Sequence, residues 1–140
     1  GPLEKYIHRY SSSFIGRYED KVENQFYWYI RPQETGNKTD VRWLALLNSE
    51  GEGVKITGLQ PIAFSALHFS PEDLDPGLTR KLQHTIDIVP QKNIFLHVDL
   101  KQRGLGGDNS WGMYPYNKYR LLDKKYVYSY MIELAEKGSD

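Results

Sequence analysis

The chain of 140 residues contains no cysteine, so disulfide bonds, thiolate zinc sites and thiol-based catalysis are all excluded. It also has no excess of either charge, because 18 Lys and Arg residues balance 18 Asp and Glu residues. A nucleic-acid surface normally needs a basic stripe that displaces counterions, and the sequence contains no such stripe. We therefore expect no nucleic-acid partner.

Long hydrophobic runs are missing as well. No segment approaches the roughly 20 apolar residues of a membrane-spanning helix, so no membrane partner is predicted. The first residues, GPLEKYIHR, lack the charged-then-apolar order of a signal peptide. This abrupt start favours a segment that begins inside a longer protein, although Gly1 and Pro2 are also typical of residues left by cloning.

Apolar and aromatic residues are abundant, and many of them recur with a period of two. Hydrophobic residues make up 39% of the chain and aromatic residues 14%, which predicts a packed core rather than disorder. Alternation predicts strands, because successive side chains of a strand point to opposite faces. The alternating segments are 26–30, 54–56, 94–100 and 126–134. Residues 41–47 and 63–69 are apolar at both odd and even positions. This pattern is typical of central strands that are covered on both faces.

Helical signals are almost absent. Ser70 is a suitable N-cap, Pro71 fits the first helical position and acidic residues follow, so a helix of about one turn is predicted there. Short strands with turns between them, including one at Pro61, predict an all-β fold. We expect an antiparallel β-sandwich in which residues 1–140 form a single module. The doubly apolar strands indicate that a larger parent domain covers the sheet.

Two polar segments stand out, one at 33–43 and one near the start of the chain. The segment Gln33–Trp43, QETGNKTDVRW, is interpreted as a polar hairpin loop with an Asp40/Arg42 pair on its rim. Asn37-Lys38-Thr39 within it matches a glycosylation sequon, and we attribute that match to chance. The residues from Glu4 to Arg9 are predicted to form a salt-bridged lead-in to the first strand.

The segment GLGGDNSW, residues 104–111, is the strongest candidate for a binding loop. Its three glycines permit positive φ and close approach of the backbone, but the lysine and following helix of a P-loop are absent. Polar residues and then Trp111 follow. A ring beside hydrogen-bonding groups suits a sugar, because the ring covers the apolar C–H face while polar groups hold the hydroxyls. An equally supported alternative is that Trp111 plugs the end of the sandwich.

The four histidines show no metal-ligand spacing, and no metal site is predicted from them. His84 and His97 lie in candidate strands and are expected to be structural, whereas His68 is expected to fix the turn before the short helix. No serine lies in the context of a nucleophile elbow, so the sequence supports no catalytic triad.

Several longer motifs, taken in order, resemble one family. They are GPLEKY, YIRPQETGNKTDVRW, FSALHFSPEDL and LHVDLKQRGLGGDNSW, followed by a final strand rich in tyrosine. They resemble the C-terminal, small-chain-like region (the fifth domain) of the large lactose-operon β-galactosidases of glycoside hydrolase family 2. The resemblance extends over nearly the whole chain, and it implies a bacterial protein of either the cytoplasm or the periplasm.

The resemblance also implies a fold and an activity. The fold is about the C-terminal half of a galactose-mutarotase-like supersandwich. The parent enzyme hydrolyses terminal β-D-galactosides such as lactose with retention, using two glutamates of an upstream (β/α)-barrel domain. No Glu of this chain matches a motif of that barrel, so no catalytic residue is assigned and the chain alone is expected to be inactive. The Mg²⁺ and Na⁺ ions of the parent family are expected in other domains, and no cofactor is expected here.

Trp111 is the last residue of its motif. The resemblance implies that its ring stacks on the substrate, mainly on the side away from the galactose. The rest of the motif is expected to support this loop: Gly106, Gly107, Asp108, Asn109 and Ser110. The expected partners are the upstream domains of the same polypeptide, a β-galactoside sugar and further copies of the chain in a homo-oligomer.

The chain departs from the family pattern at three positions. Lys5 replaces an Asn and His8 replaces an Asp, which puts interdomain contacts by these two residues in doubt. Asn109 stands where Asp is frequent, and it keeps the size and an acceptor oxygen while removing a charge. Two other functions remain open: a free-standing carbohydrate-binding module, and a structural or oligomerisation domain that exposes unpaired edges or an apolar face.

Overall fold

The computed structural model of the chain describes residues 3–75, 77, 83–104, 106, 108–109 and 111–136, without the side chains of Tyr10 and Ser12. These residues contain one antiparallel sheet whose strands are β1 (Lys38–Leu47), β2 (Glu52–Leu67), β3 (Phe95–Asp99) and β4 (Tyr130–Glu136). The prediction of an all-β, antiparallel fold is confirmed. That the sheet forms half of a supersandwich stays a prediction.

Helices are few and short. Within the same residues, the single α-helix, α1, is Pro71–Leu74, and 3-10 helices lie at Ile7–Ser12, Val22–Gln25, Thr85–Asp87 and Asn117–Tyr119. The prediction for α1 is confirmed, including its cap: the Ser70 hydroxyl accepts from the Asp73 N–H at 3.2 Å, and the Asp73 carboxylate accepts from the Ser70 N–H at 2.7 Å. No helix in the described part of the chain has the length and hydropathy needed to cross a membrane.

β2 is the central strand, because all three other strands pair with it. β1 pairs along one edge of β2, while β4 and β3 pair in turn with the first and second halves of the opposite edge. The two predicted strands at 54–56 and 63–69 are therefore one strand, and the turn predicted at Pro61 is wrong. Pro61 instead lies in an irregular stretch where residues 58–61 of β2 face Arg42 alone, a position that suits a residue without an N–H.

Two apolar clusters form the core. The first joins Phe26 to residues at the end of β2, in α1 and near the third 3-10 helix: Leu67, Phe69, Leu74 and Ile88. The second lies along β1 and β2 and contains Leu44, Ile56 and Ile62. The second half of β2 is buried on both faces, as its sequence predicts, but β1 is an outer strand with Leu47 exposed.

Two predicted strands differ from the structure. Residues 26–30 form no strand, because Phe26 packs on Phe69, with ring centroids 4.5 Å apart, and edge-on against Trp28. Of the three alternating residues only Phe26 is buried, whereas Trp28 and Ile30 are 65% and 86% exposed. The final strand starts at Tyr130, and residues 126–129 precede it without pairing in a ladder.

We predict that Gly36→Ala destabilises the chain by about 1–3 kcal/mol. Gly36 has φ +75°, and a Cβ at this position would lie 2.5 Å from the backbone oxygen of Gln25. Gly106→Ala is the matched control, because a Cβ there meets nothing within 4 Å, and it should change stability by less than about 0.5 kcal/mol. Urea unfolding of both variants measures the difference, and equal effects would contradict the prediction.

Candidate functional site

The segment that follows β3 forms a loop that is closed at its base by Gly104. The Gly104 N–H donates to the carbonyl of Tyr119 at 2.7 Å. A Cβ at position 104 would lie 2.8 Å from the Cβ of Tyr119, so this close approach requires glycine. Residues 104 and 119 therefore lie side by side beyond the end of β3, at the base of the loop.

Trp111 lies on this loop with 87% of its surface exposed. The backbone around it is shaped by Asn109, whose Oδ1 accepts from the N–H of Trp111 at 3.1 Å and from that of Met113 at 3.4 Å. Such a turn, closed by an Asn side chain, fixes the main chain locally while leaving the ring free. Gly112 follows with φ +130°, a conformation that favours glycine. In this chain the ring therefore does not plug the end of the sheet.

The other residues of the predicted site have different surroundings. Asp108 Oδ1 accepts from the Tyr116 hydroxyl at 3.0 Å, and this hydrogen bond raises the pKa of Tyr116 because it stabilises the protonated hydroxyl. Gly106 has neither a positive φ nor a close neighbour. Among the described glycines of the loop, the need for glycine thus falls on Gly104 and Gly112. The predicted roles of Gly107 and Ser110 concern positions outside the described residues.

Two more aromatic residues follow Trp111 closely in the sequence. Tyr114 and Tyr116 are both more than half exposed. The Arg120 guanidinium lies over the ring of Tyr114, 4.7 Å from its centroid. The loop thus displays flat rings together with charged and amide groups.

A second set of polar residues lies in the segments 4–6 and 29–40, and it is buried. Glu4 is 3% exposed, and its carboxylate accepts from the Tyr29 hydroxyl, from Thr35 Oγ1 at 2.9 Å and from the Gly36 N–H at 2.6 Å. The Glu4 N–H in turn donates to the hydroxyl of Tyr27 at 2.7 Å. The prediction of a salt-bridged lead-in is wrong for Glu4, because neutral donors satisfy its charge and the chain then enters a 3-10 helix.

The sequon residue Asn37 belongs to the same network. It is fully buried, and its Nδ2 donates to the carbonyl of Lys5 at 2.8 Å and to Thr39 Oγ1 at 3.0 Å. The interpretation of this segment as an exposed polar hairpin loop is therefore wrong, and no ion pair joins Asp40 to Arg42 within the described structure. Because the amide nitrogen is engaged and inaccessible, the folded chain offers no glycosylation acceptor here.

Burial shifts the pKa values of this network. Desolvation lowers the pKa of Lys38 to about 8, although the charge of Glu4 opposes the change, and its Nζ donates to the Gly36 carbonyl at 3.0 Å. The hydrogen bond to Glu4, followed by burial, raises the pKa of Tyr29 to about 12. Burial is the main cause that raises the pKa of Tyr6. At neutral pH the hydroxyls of Tyr6 and Tyr29 are therefore protonated.

The four histidines lie in separate parts of the described structure. His68 Nδ1 lies 3.2 Å from the carbonyl of Asn93, and the His68 carbonyl accepts from the Gln91 N–H at 2.7 Å, so this residue does fix the turn before α1. His97 is on β3, whereas His84 precedes a 3-10 helix rather than lying in a strand. Across the residues that the structure describes, no group of three His, Asp or Glu residues is arranged to hold a metal.

Comparison with known proteins gives a consistent result. A family model described as the beta galactosidase small chain matches residues 1–132. The β-galactosidase of Priestia megaterium is 36% identical over 121 residues, which cover 86% of this chain and 11% of the relative. Those of Halalkalibacterium halodurans and Streptococcus thermophilus are 30% and 31% identical, over 86% and 95% of this chain and 12% and 13% of the relatives. The chain therefore spans about an eighth or less of these relatives.

We predict that stability rises from pH 8 to 10 by about 1–3 kcal/mol because of Lys38. Folding lowers its pKa from 10.5 to about 8, so between these values the unfolded chain binds a proton that the folded chain does not. Above pH 10 the trend should reverse, because the pKa of Tyr29 is raised on folding to about 12.

Urea unfolding across this pH range measures the effect. In Lys38→Met the rise between pH 8 and 10 should disappear. In Lys92→Met, which removes an exposed lysine, the rise should remain. A rise of the same size in wild type and Lys38→Met would refute the assignment.

Proposed function

The chain belongs to the β-galactosidase small-chain family, and we propose that it is the C-terminal segment of a retaining β-galactosidase that acts on terminal β-D-galactosides such as lactose. Its contribution to the substrate site is Trp111. The observation that carries the proposal is the exposure of this ring, 87%, on a loop closed at its base. The rest of the active site is supplied by upstream domains.

The physical case for Trp111 rests on what surrounds the exposed ring. Its faces are available to cover the C–H groups of a pyranose, which is how aromatic side chains commonly bind sugars. Asn109 fixes the backbone at Trp111 by two hydrogen bonds, so little loop entropy is lost when a sugar stacks on the ring. Asp108 and Tyr116 lie on the same loop with polar groups at the surface.

The catalytic carboxylates of this proposal lie in another domain. Retaining glycosidases need two carboxyl groups about 5–5.5 Å apart, one as the nucleophile and one as the acid/base. The resemblance assigns these to glutamates of an upstream barrel of glycoside hydrolase family 2, and no Glu of this chain matches that motif. The Mg²⁺ and Na⁺ ions of the parent enzyme are likewise assigned to other domains.

A structural role in the same polypeptide is supported by the surface of β4. Tyr130, Ile132 and Leu134 share a face, because they pair with alternate residues of β2, and they are 41%, 61% and 92% exposed. Ile56, which lies opposite Ile132 on that face, is buried. An exposed apolar strip that continues a buried cluster is typical of a covered interface. The upstream domains are the proposed occupant, since the relatives extend far beyond the matched segment.

A free-standing carbohydrate-binding module is the weaker candidate. A single ring without an opposing wall buries too little of a sugar for useful affinity at the Trp111 loop. We therefore expect this loop alone to bind galactose, glucose and lactose weakly or not at all. An NMR titration of the purified chain with these sugars, in which the tryptophan resonances are followed, tests the expected weak binding.

We predict that the isolated chain does not hydrolyse a chromogenic β-galactoside. The physical reason is that the two carboxyl groups that retaining hydrolysis requires are expected outside it. The measurement is release of the chromophore over a long incubation. The proposal would be refuted if the chain hydrolysed the substrate and if substitution of a Glu within these 140 residues abolished that hydrolysis.

In the parent enzyme we predict that Trp111→Ala weakens substrate binding by roughly tenfold, equivalent to about 1.4 kcal/mol. It should also alter transfer to acceptor sugars, because the stacking platform is lost. Trp111→Phe keeps a flat ring and should recover much of the binding. Steady-state kinetics with lactose and with an aryl galactoside measure both effects, and unchanged values for Trp111→Ala would rule out this role.

We predict that the isolated chain self-associates at high concentration through the apolar strip of β4. Leu134→Lys, at a position 92% exposed, should reduce this association with little change in stability. Leu59→Lys is the control, since Leu59 is 76% exposed but lies outside the strip. Light scattering gives the mass, and a clean monomer of the unmodified chain would count against an interface on β4.

A further inference from the structure

A cleft of about 490 Å³ lies over the sheet where β2 pairs with β3. Its floor contains two cross-strand pairs, Ser65 opposite His97 and Leu67 opposite Phe95. Residues directly opposite each other in an antiparallel pair share a face, so the four side chains form one surface. The volume is within the range of about 300–1,000 Å³ that is typical of small-molecule sites.

The walls come from two segments on either side of this floor. Residues 31–34 provide one wall, and Pro71, Leu74 and Asp75, at α1 and directly after it, provide the other. Glu34 is held in place by a hydrogen bond from Gln102, which also donates to Asp99 at the end of β3. None of the described residues of the Trp111 loop lines the cleft.

Several polar side chains of the cleft make no hydrogen bond to another described residue. They belong to Ser65, His97 and the exposed residues Arg31 and Gln33. Ser65 is 3% exposed as a residue, but its hydroxyl is not among the buried atoms left without a partner, so it is accessible from the cleft. These four groups line one cavity and are available to a ligand with many hydroxyls.

The charges of the cleft indicate a neutral ligand. Among the described lining residues, Arg31 contributes a positive charge and Glu34 a negative one. A strongly charged ligand would meet a like charge on one side of the cleft. The apolar part of the floor, Leu67 and Phe95, suits the C–H face of a pyranose ring. A purely apolar ligand is disfavoured, because it would leave the polar groups without partners.

We propose that this cleft is a second carbohydrate site, which takes a neutral pyranose. The ring lies over Phe95 and Leu67, its hydroxyls accept from Arg31 and Gln33, and Ser65 and His97 bond to its inner edge. The proposal does not depend on the role of Trp111, because the two surfaces share no described residue.

The test is an NMR titration of the full 140-residue chain with D-galactose and D-glucose. We expect saturable shifts at the amides of residues 31–34, 65–67 and 95–97, with a dissociation constant on the order of 1–10 mM. The shifts at the Trp111 indole should be smaller and should not saturate together with them. Galactitol, which has comparable hydroxyls but no ring, should bind at least about tenfold more weakly, since it cannot stack.

Matched variants locate the site. Arg31→Ala, at an exposed position, and Ser65→Ala should each weaken binding by about tenfold or more, whereas the exposed control Lys92→Ala should leave it unchanged. Trp111→Ala should also retain binding in the cleft. Arg31→Ala keeps the test decisive if the substitution at buried Ser65 prevents folding.

Three results would overturn the proposal. They are the absence of saturable shifts in the cleft up to about 100 mM sugar, shifts confined to the Trp111 loop, and binding that Arg31→Ala leaves unchanged. Shifts confined to the loop would exclude the second site while supporting the role of Trp111. Conversely, loss of the Trp111 role in the parent enzyme would leave binding in the cleft intact.

Discussion

The burial of the Glu4 carboxylate constrains much of the rest of this structure. An ionised carboxyl group removed from water is costly unless hydrogen bonds replace its hydration. Here a tyrosine hydroxyl, a threonine hydroxyl and the Gly36 N–H supply those bonds. Because the donors are 25–32 residues away in the chain, the network ties the N-terminal segment to the turn that enters β1. Gly36 has a positive φ at this turn, and strand β1 begins two residues later, at Lys38.

The sheet that starts there acts as a scaffold for two different surfaces. β2 is long enough to pair with three strands. The loop that follows β3 lies beyond the end of that strand and is closed at its base by Gly104. Loops on a rigid scaffold commonly carry binding residues, which is consistent with the exposed Trp111. On the sheet itself, the floor formed by β2 and β3 carries a cleft. Near the end of β3, Gln102 donates both to Asp99 and to Glu34, which ties one wall of the cleft to the strand.

Much of the fold was predictable, because strand periodicity and helix caps are local. The patterns at 41–47, 54–56, 63–69 and 94–100 overlap the observed strands, and Ser70-Pro71 starts the observed helix. The errors have a common cause. At 26–30 the alternation is real, but only Phe26 joins the core cluster of Phe69, and the segment pairs with no strand in the described structure. At Pro61 a turn signal lies inside a strand, because a bulge tolerates a residue that cannot donate.

The amino-acid sequence by itself determined the all-β class, the short helix, the absence of thiol chemistry and, through its longer motifs, the family. These properties depend on residue type and on spacing over a few positions. Only the tertiary structure decided which polar residues are inside. Thr35, Asn37 and Lys38 resemble a solvated turn in the sequence but are buried, whereas Trp111, for which a sugar platform and a core plug were equally supported by the residues, is exposed. The physical reason is that burial depends on partners far away in the chain, and a buried polar group is stable only where such partners converge.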